Sequence, residues 1–471
     1  MDSKKPRVQF QQLFDRFFEH QLTNEQLDLR TRLYDFIFES SENRIFILRG
    51  YAGTGKTSIL GALVKSLGFL KVKTKLLAPT GRAAKVLALK AKKGALTIHK
   101  QIYRSGSDTG EALKLTIMPN LHTETLFIVD EASMIADDHV DNKEGSNYRN
   151  LLEDIIQYVF SGKNCFLIFV GDEGQLPPVG SDFSPALNIE YFKHHYPNIS
   201  CSSFSLNEVV RQEAMSGILA LSTAIRNGKQ NIRNIVSKHC DVNFINGLEL
   251  QDCVENSYNK ASSSETIIIT RSNKRANAYN EQIRKRVLYF DEVLNASDTL
   301  MVVKNSYFWL PENSAVGFIA NGELIQVKRV IKYEHLYNVK YARLLVEFID
   351  YNEEPIELLV FLDALNTEGP SLPRTFFKTL FFEIEKDYVF EKNKKKRYDL
   401  ILRNPYFNAL QVKYAYAVTC HKAQGGQWDN VFVDGSFLSY QEFDDTSNKW
   451  LYTAATRASK ELFFVNFPDT F

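Results

Sequence analysis

The apolar run Ile45-Phe46-Ile47-Leu48 leads into Gly50-Tyr51-Ala52-Gly53-Thr54-Gly55-Lys56-Thr57, and helical spacing follows over 58–67. The octapeptide fits GxxxxGK[ST], and strand before with helix after is the context that pattern needs. Its glycines let the backbone wrap so that successive N–H groups point into one concavity. The following helix adds the positive end of its dipole. Such a cradle suits phosphates. Lys56 is expected to reach the β- and γ-phosphates and Thr57 to ligate Mg²⁺, so the expected ligands are ATP and Mg²⁺. The cradle itself would be Gly50, Tyr51, Ala52, Gly53, Thr54, Gly55, Lys56 and Thr57. Tyr51 is placed to pack near the base or ribose.

The surrounding pattern extends this unit into an α/β fold. Leu76-Leu77-Ala78 precedes Pro79-Thr80-Gly81, Leu126-Phe127-Ile128-Val129 precedes Asp130-Glu131, and Phe166 to Val170 precedes Gly171-Asp172. Continuous apolar strands belong to a parallel sheet buried on both faces. Helical spacing over 58–67 and 83–91 supplies the crossovers, and ligands of such sheets sit at strand C-termini. A second α/β set follows, with candidate strands at 266–269, 414–419, 431–433 and 462–465. Between its halves, about 326–408 turns β-like at 342–350 and 356–362. There the run Lys392-Asn393-Lys394-Lys395-Lys396-Arg397 reads as a basic hairpin tip, either a solvated turn or a DNA-backbone contact. A small insertion lies within about 95–122, its turn signals being Gly106, Asp108 and Gly110.

With 471 residues the chain has room for two to four domains. No apolar run reaches membrane-spanning length, and the N-terminus has no secretory pattern, so no membrane role is expected. Five scattered cysteines without CxxC spacing fit buried thiols in a reducing, cytoplasmic location. The net charge of +1 neither announces nor excludes a nucleic-acid partner.

Asp130-Glu131 closes a strand about 75 residues after the P-loop. In a P-loop ATPase such an aspartate orients Mg²⁺, and the adjacent glutamate polarises the attacking water. Gln175, after another strand, is placed to sense that water and the γ-phosphate.

Motifs spread over nearly the whole chain resemble those of superfamily 1 DNA helicases of the RecD/Dda branch (superfamily 1B). Leu22-Thr23-Asn24-Glu25-Gln26 resembles the Q motif, which implies that Gln26 reads adenine. Residues 78–85 are similar to motif Ia and Thr97-Ile98-His99-Lys100 to motif Ib. Asp130-Glu131 matches motif II, 171–180 motif III and 206–212 motif IV. Residues 418–425, which include Gly425, match motif V, and 452–458 match motif VI.

The resemblance implies two RecA-like P-loop domains with ATP in the cleft between them. A small pin-like insertion would interrupt the first, and a β-rich, barrel-like insertion the second. The domains would run 1–205, 206–325, 326–408 (the insertion) and 409–471. The pin segment is short and lacks an aromatic wedge, and 137–147 has no counterpart in the family pattern.

The resemblance also implies that Arg211 and Arg457 meet charge on the transferring phosphoryl group. Pro79, Thr80, Arg82, His99, Lys100, Thr419 and His421 are the implied contacts to single-stranded DNA. His99 and His421 read either as direct contacts or as residues coupling the DNA and ATP sites. Trp428 and Tyr452 read as core aromatics. The implied activity is ATP-driven movement on single-stranded DNA and at forks, 5′ to 3′, by a monomer. A small-molecule kinase, a remodelling ATPase and a non-catalytic DNA-binding module are the competing readings.

Overall fold

The computed structural model describes residues 4–38, 43–105, 115–137, 150–209, 216–228, 232–236, 239–260, 265–310, 318–349, 354–436 and 444–468. Eighteen strands are described among these. The first eight are β1 (Arg44–Gly50), β2 (Lys73–Ala78), β3 (Ala95–Thr97), β4 (Tyr103–Ser105), β5 (Leu115–Ile117), β6 (Thr125–Val129), β7 (Phe166–Gly171) and β8 (Ser200–Leu206). Then come β9 (Val242–Ile245), β10 (Thr266–Thr270), β11 (Thr299–Val302), β12 (Leu324–Leu336), β13 (Val339–Phe348) and β14 (Ile356–Phe361). The last four are β15 (Leu410–Tyr414), β16 (Ala417–Thr419), β17 (Trp428–Asp434) and β18 (Ala458–Val465). The chain forms two compact units. The first comprises Met1–Arg104, Thr116–Asp241 and Glu442–Thr456, and the second Ser105–Leu115, Val242–Gln441 and Arg457–Phe471.

In the first unit, six strands form a parallel sheet in the order β3-β2-β6-β7-β1-β8. β6 and β7 are buried along their whole length, as continuous apolar runs require. The helices Lys4–Phe17 and Asn24–Phe38 bury Phe10, Phe14, Leu29 and Leu33 against Phe46, Leu63 and Ile168. This layer holds the P-loop strand β1 between β7 and β8. β4 and β5 form a two-stranded ribbon, and the turn residues Gly106, Asp108 and Gly110 lie outside the described residues.

The second unit has a five-stranded parallel sheet, β16-β10-β17-β18-β9, and a closed barrel of β11 to β15. One apolar core joins them: Ile268 and Phe432 from the sheet cluster with Leu300, Val346 and Val412 from the barrel. The barrel uses strands on both sides of 326–408. The candidate strand at 414–419 divides accordingly, with β15 closing the barrel and β16 entering the sheet.

The basic run is not a hairpin tip. It opens the helix Lys394–Leu402, whose first N–H groups are capped by Asn393 Oδ1, at 3.0 Å from Lys395 N and 3.2 Å from Lys396 N. Lysine and arginine are good helix formers, and Leu380, Ile384 and Ile401 bury beneath the helical pair Arg374–Glu385 and Lys394–Leu402. Positive charge in a first helical turn opposes the dipole. Here Glu391 faces Lys396 and Glu385 faces Arg397.

Candidate active site and strand-edge contacts

The loop after β1 is shaped by two left-handed glycines, Gly53 (φ 77°) and Gly55 (φ 83°), a region that side-chain-bearing residues avoid. A Cβ on Gly50 would lie 2.9 Å from Thr54 Oγ1. The helix Lys56–Phe69 then begins directly at Lys56, with Thr57 in its first turn. Lys56 Nζ donates to Gly50 O (2.6 Å) and Tyr51 O (2.9 Å), and lies 4.0 Å from the buried Asp172 carboxylate.

The Q-motif segment is a capping box. Thr23 Oγ1 accepts from Gln26 N (3.4 Å) and Gln26 Oε1 accepts from Thr23 N (3.0 Å). Gln26 Nε2 then donates to Thr54 O at 3.1 Å, so this buried side chain braces the phosphate loop. Tyr51 stacks under Arg226, whose guanidinium carbon is 4.1 Å from the ring centroid. Burial, then Glu173, raises the Tyr51 pKa.

Neighbouring strands deliver the acids. Asp130 follows β6, its N–H bonded to Leu77 O. Its Oδ1 accepts from Glu131 N at 3.0 Å, and Glu131 adopts a left-handed backbone (φ 53°). Burial, then the Glu131 charge, pushes the Asp130 carboxyl up to about 7, against the pull of that N–H, Lys56 and Lys90. Two adjacent carboxyls short of positive charge are a donor set for a hard divalent cation, so Thr57 and Asp130 fit Mg²⁺.

Gln175 sits in the turn after β7. It is buried, and its Oε1 has no hydrogen-bond partner among the described residues. A buried acceptor left unpaired costs roughly 1–3 kcal/mol, which a ligand or water would recover.

The sequence reads Tyr452 as a core aromatic, and the structure adds a polar role. It is 2% exposed, but its hydroxyl accepts from Ala52 N (2.7 Å) and donates to Asp172 Oδ2 (2.7 Å). One residue on, Thr453 Oγ1 accepts from Leu176 N (2.7 Å). Asp172, Tyr452 and Thr453 were therefore missed as site residues. They lie inside motifs III and VI, but only folding shows that their oxygens meet the P-loop and the Gln175 turn. Trp428 is buried as expected.

The expected DNA contacts of the first unit gather at the C-terminal ends of β2 and β3. Thr80, next to Pro79, caps the helix Gly81–Ala91, which carries Arg82 in its first turn. Thr97 likewise caps Ile98–Ile102, which carries His99 and Lys100. Burial pushes His99 down to about 4, slightly opposed by Asp154, so its imidazole is neutral at pH 7.

In the second unit Thr419 ends β16, and His421 lies in the helix Cys420–Ala423. Burial and Arg271 lower the His421 pKa. A pocket beside them is lined by Asn273, Asn277, Lys413, Thr419 and Lys422. Sequence reading missed Lys422, which donates to Asn321 Oδ1 (3.2 Å) and is pushed down to about 8 by burial, then by Lys413. Gly425 is left-handed (φ 72°). Arg457 is buried, donates from Nη1 to Gly426 O (3.3 Å), and accepts Trp428 N–H on its carbonyl. Arg211 lies outside the described residues, as do 138–147 of the unmatched stretch 137–147.

The family described as an AAA domain matches residues 21–247, and that described as a UvrD-like helicase C-terminal domain matches 414–465. The ATP-dependent DNA helicase dda of Enterobacteria phage T4 is 26% identical over 447 residues, 89% of this chain and 93% of that one. These matches support a likeness to the superfamily 1B helicases. Uncharacterized protein R530 of Acanthamoeba polyphaga mimivirus is 25% identical over 521 residues, covering 94% of this chain and 99% of that protein. Similar solved structures include the Pif1 helicase from Candida albicans, with TM-score 0.47, 15% identity and coverage of 96% and 95%. Another is the Bacteroides Pif1 helicase in complex with ADP-AlF3 and ssDNA, with TM-score 0.46, 16% identity and coverage of 96% and 94%. No helix among the described residues is long and apolar enough to cross a membrane.

Proposed function

We propose that this superfamily 1B-like chain hydrolyses ATP at the P-loop edge of its first unit. The reaction drives movement along single-stranded DNA, 5′ to 3′, with separation of forked duplex. The observation that carries this is the gathering, after β1, β6 and β7, of a phosphate cradle, a half-buried acidic pair and a glutamine oxygen without a partner among the described residues.

Lys56 and the loop N–H groups receive the phosphates. Glu131 takes a proton from the attacking water, and Gln175 Oε1 accepts from the same water. Mg²⁺, held by Thr57 and Asp130, would supply charge neutralisation on the phosphate oxygens. Arg457 and Arg211 meet the charge developing on the transferred phosphoryl group. Gln26, Tyr51 and Gly425 complete the nucleotide contacts.

Pro79, Thr80, Arg82, His99, Lys100, Thr419 and His421 hold the DNA backbone. Short polar side chains and helix N-termini grip phosphates without reading sequence, as a moving motor requires. The resemblance of 89% of the chain to T4 dda, named an ATP-dependent DNA helicase, supports this reading. The working form is a monomer.

The test is ATP turnover with and without oligo(dT), followed by unwinding of forked duplexes bearing a 5′ or a 3′ tail. Oligo(dT) should stimulate turnover strongly, and only the 5′ tail should support unwinding. Lys56→Ala should abolish turnover while leaving oligo(dT) binding intact. Turnover indifferent to oligo(dT) would refute the motor reading, and preference for the 3′ tail would refute the polarity.

A further inference from the structure

The turn that carries Gln175 is held by a helix, Asp445–Ala455, far from it in sequence. Three bonds fix it. Asp172 Oδ2 accepts from the Tyr452 hydroxyl at 2.7 Å. Asp172 Oδ1 accepts from Gly174 N at 2.9 Å. Leu176 N donates to Thr453 Oγ1 at 2.7 Å. Gln175 lies between the last two anchors, and its own N–H donates to Asp172 O at 3.3 Å.

Packing closes the same arrangement. A Cβ on Gly174 would stand 3.2 Å from Tyr452 Cε1 and 3.3 Å from Tyr51 Cδ1, so the turn lies close against both rings. The Tyr452 hydroxyl uses both of its capacities, donating to Asp172 and accepting from Ala52 N in the phosphate loop. Thr453 Oγ1 is oriented in turn by donating to Lys449 O at 2.7 Å. Tyr452 and Thr453 are 2% and 0% exposed, so water does not compete for these bonds.

We propose that Tyr452 and Thr453 are positioning residues for ATP hydrolysis, holding the unpaired amide oxygen of Gln175 in fixed register with the phosphate loop. The proposal rests on the ATPase reading given above. It follows from what a water-orienting group needs. Among the described residues Gln175 Oε1 has no partner to locate it, so its place is set by the backbone on either side, and that backbone hangs from these two side chains. A shift of about 1 Å at such a group is enough for a rate loss on the order of 100-fold.

The test is steady-state ATP hydrolysis by Tyr452→Phe, Thr453→Val and Thr453→Ser, each also made in a Gln175→Ala background. Tyr452→Phe keeps the ring against Gly174 and removes only the hydroxyl bridge. Its kcat should fall roughly 10- to 100-fold, with KM for ATP changed less than about threefold. Thr453→Val should behave alike, and Thr453→Ser, which keeps the oxygen, should restore most of the rate. In the Gln175→Ala background Tyr452→Phe should add less than about twofold, because both changes act through one group.

Full kcat in Tyr452→Phe would overturn the proposal. So would an undiminished loss in the Gln175→Ala background, or a loss that tracks a lowered melting temperature. Wild-type turnover indifferent to oligo(dT) would count against the motor reading alone, since the same kinetic comparison on that turnover still decides this one.

Discussion

His99 offers a direct check on the electrostatics of the strand edge where β3 ends. Burial holds its imidazole at about 4, against an ordinary value of 6.5. The folded pKa is the lower one, so the unfolded chain binds this proton first as pH falls. Stability from this group is therefore complete above pH 6.5 and is lost between 6.5 and about 4. Each pH unit inside that window costs about 1.4 kcal/mol, so the loss at pH 5 is about 2 kcal/mol.

The assay is urea denaturation at pH 7.5 and pH 5.0, for wild type and His99→Gln. His122 and His421, also lowered by burial, contribute equally to both proteins. The wild type should therefore lose about 2 kcal/mol more than the variant between the two conditions. Equal losses would show that the imidazole is hydrated in the folded state. A neutral His99 would also mean that any DNA contact it makes is a hydrogen bond rather than an ion pair, so His99→Gln should leave the salt dependence of oligo(dT) binding unchanged.

Further outcomes follow from the second unit. Asp298 is fully buried and accepts two bonds from Arg284 (2.9 Å each), one from Tyr416 and one from Asn295 N. Asp298→Ala should destabilise the unit by about 3–5 kcal/mol, read as a lowered urea midpoint, because a buried guanidinium loses its counter-charge. Gly426→Ala would put a Cβ 2.4 Å from Trp428 Cη2. It should cost about 1–3 kcal/mol in a melting experiment and also lower ATP turnover, since Gly426 O holds Arg457. Lys422, at about 8, should gain a proton when a phosphate approaches. Oligo(dT) binding near pH 8.5 should then take up a proton, seen by calorimetry in buffers of different ionisation enthalpy, and near pH 6.5 it should take up none.

The sequence by itself determined the chemistry of the P-loop and the presence of parallel sheets. Both are local. A GxxxxGK[ST] loop needs only its own glycines at φ 77° and 83° and the strand and helix that flank it. The fully buried β6 and β7 announce themselves as unbroken apolar runs. The family resemblance also followed from short motifs in a fixed order, each readable without its neighbours.

Only the tertiary structure decided what those motifs do to one another. The basic run at 392–397 opens a helix because Asn393 caps it and an apolar layer lies beneath, neither of which charge alone reveals. Gln26 braces Thr54 through a bond spanning 28 positions, and Tyr452 reaches Ala52 across 400. Tyr452 looked like one more of 22 tyrosines. Its ring is indeed in the core, but its hydroxyl meets a backbone N–H and a carboxylate brought there by other strands. A hydrogen-bond partner is a property of position in space, and for residues so far apart position exists only after the sheet has formed.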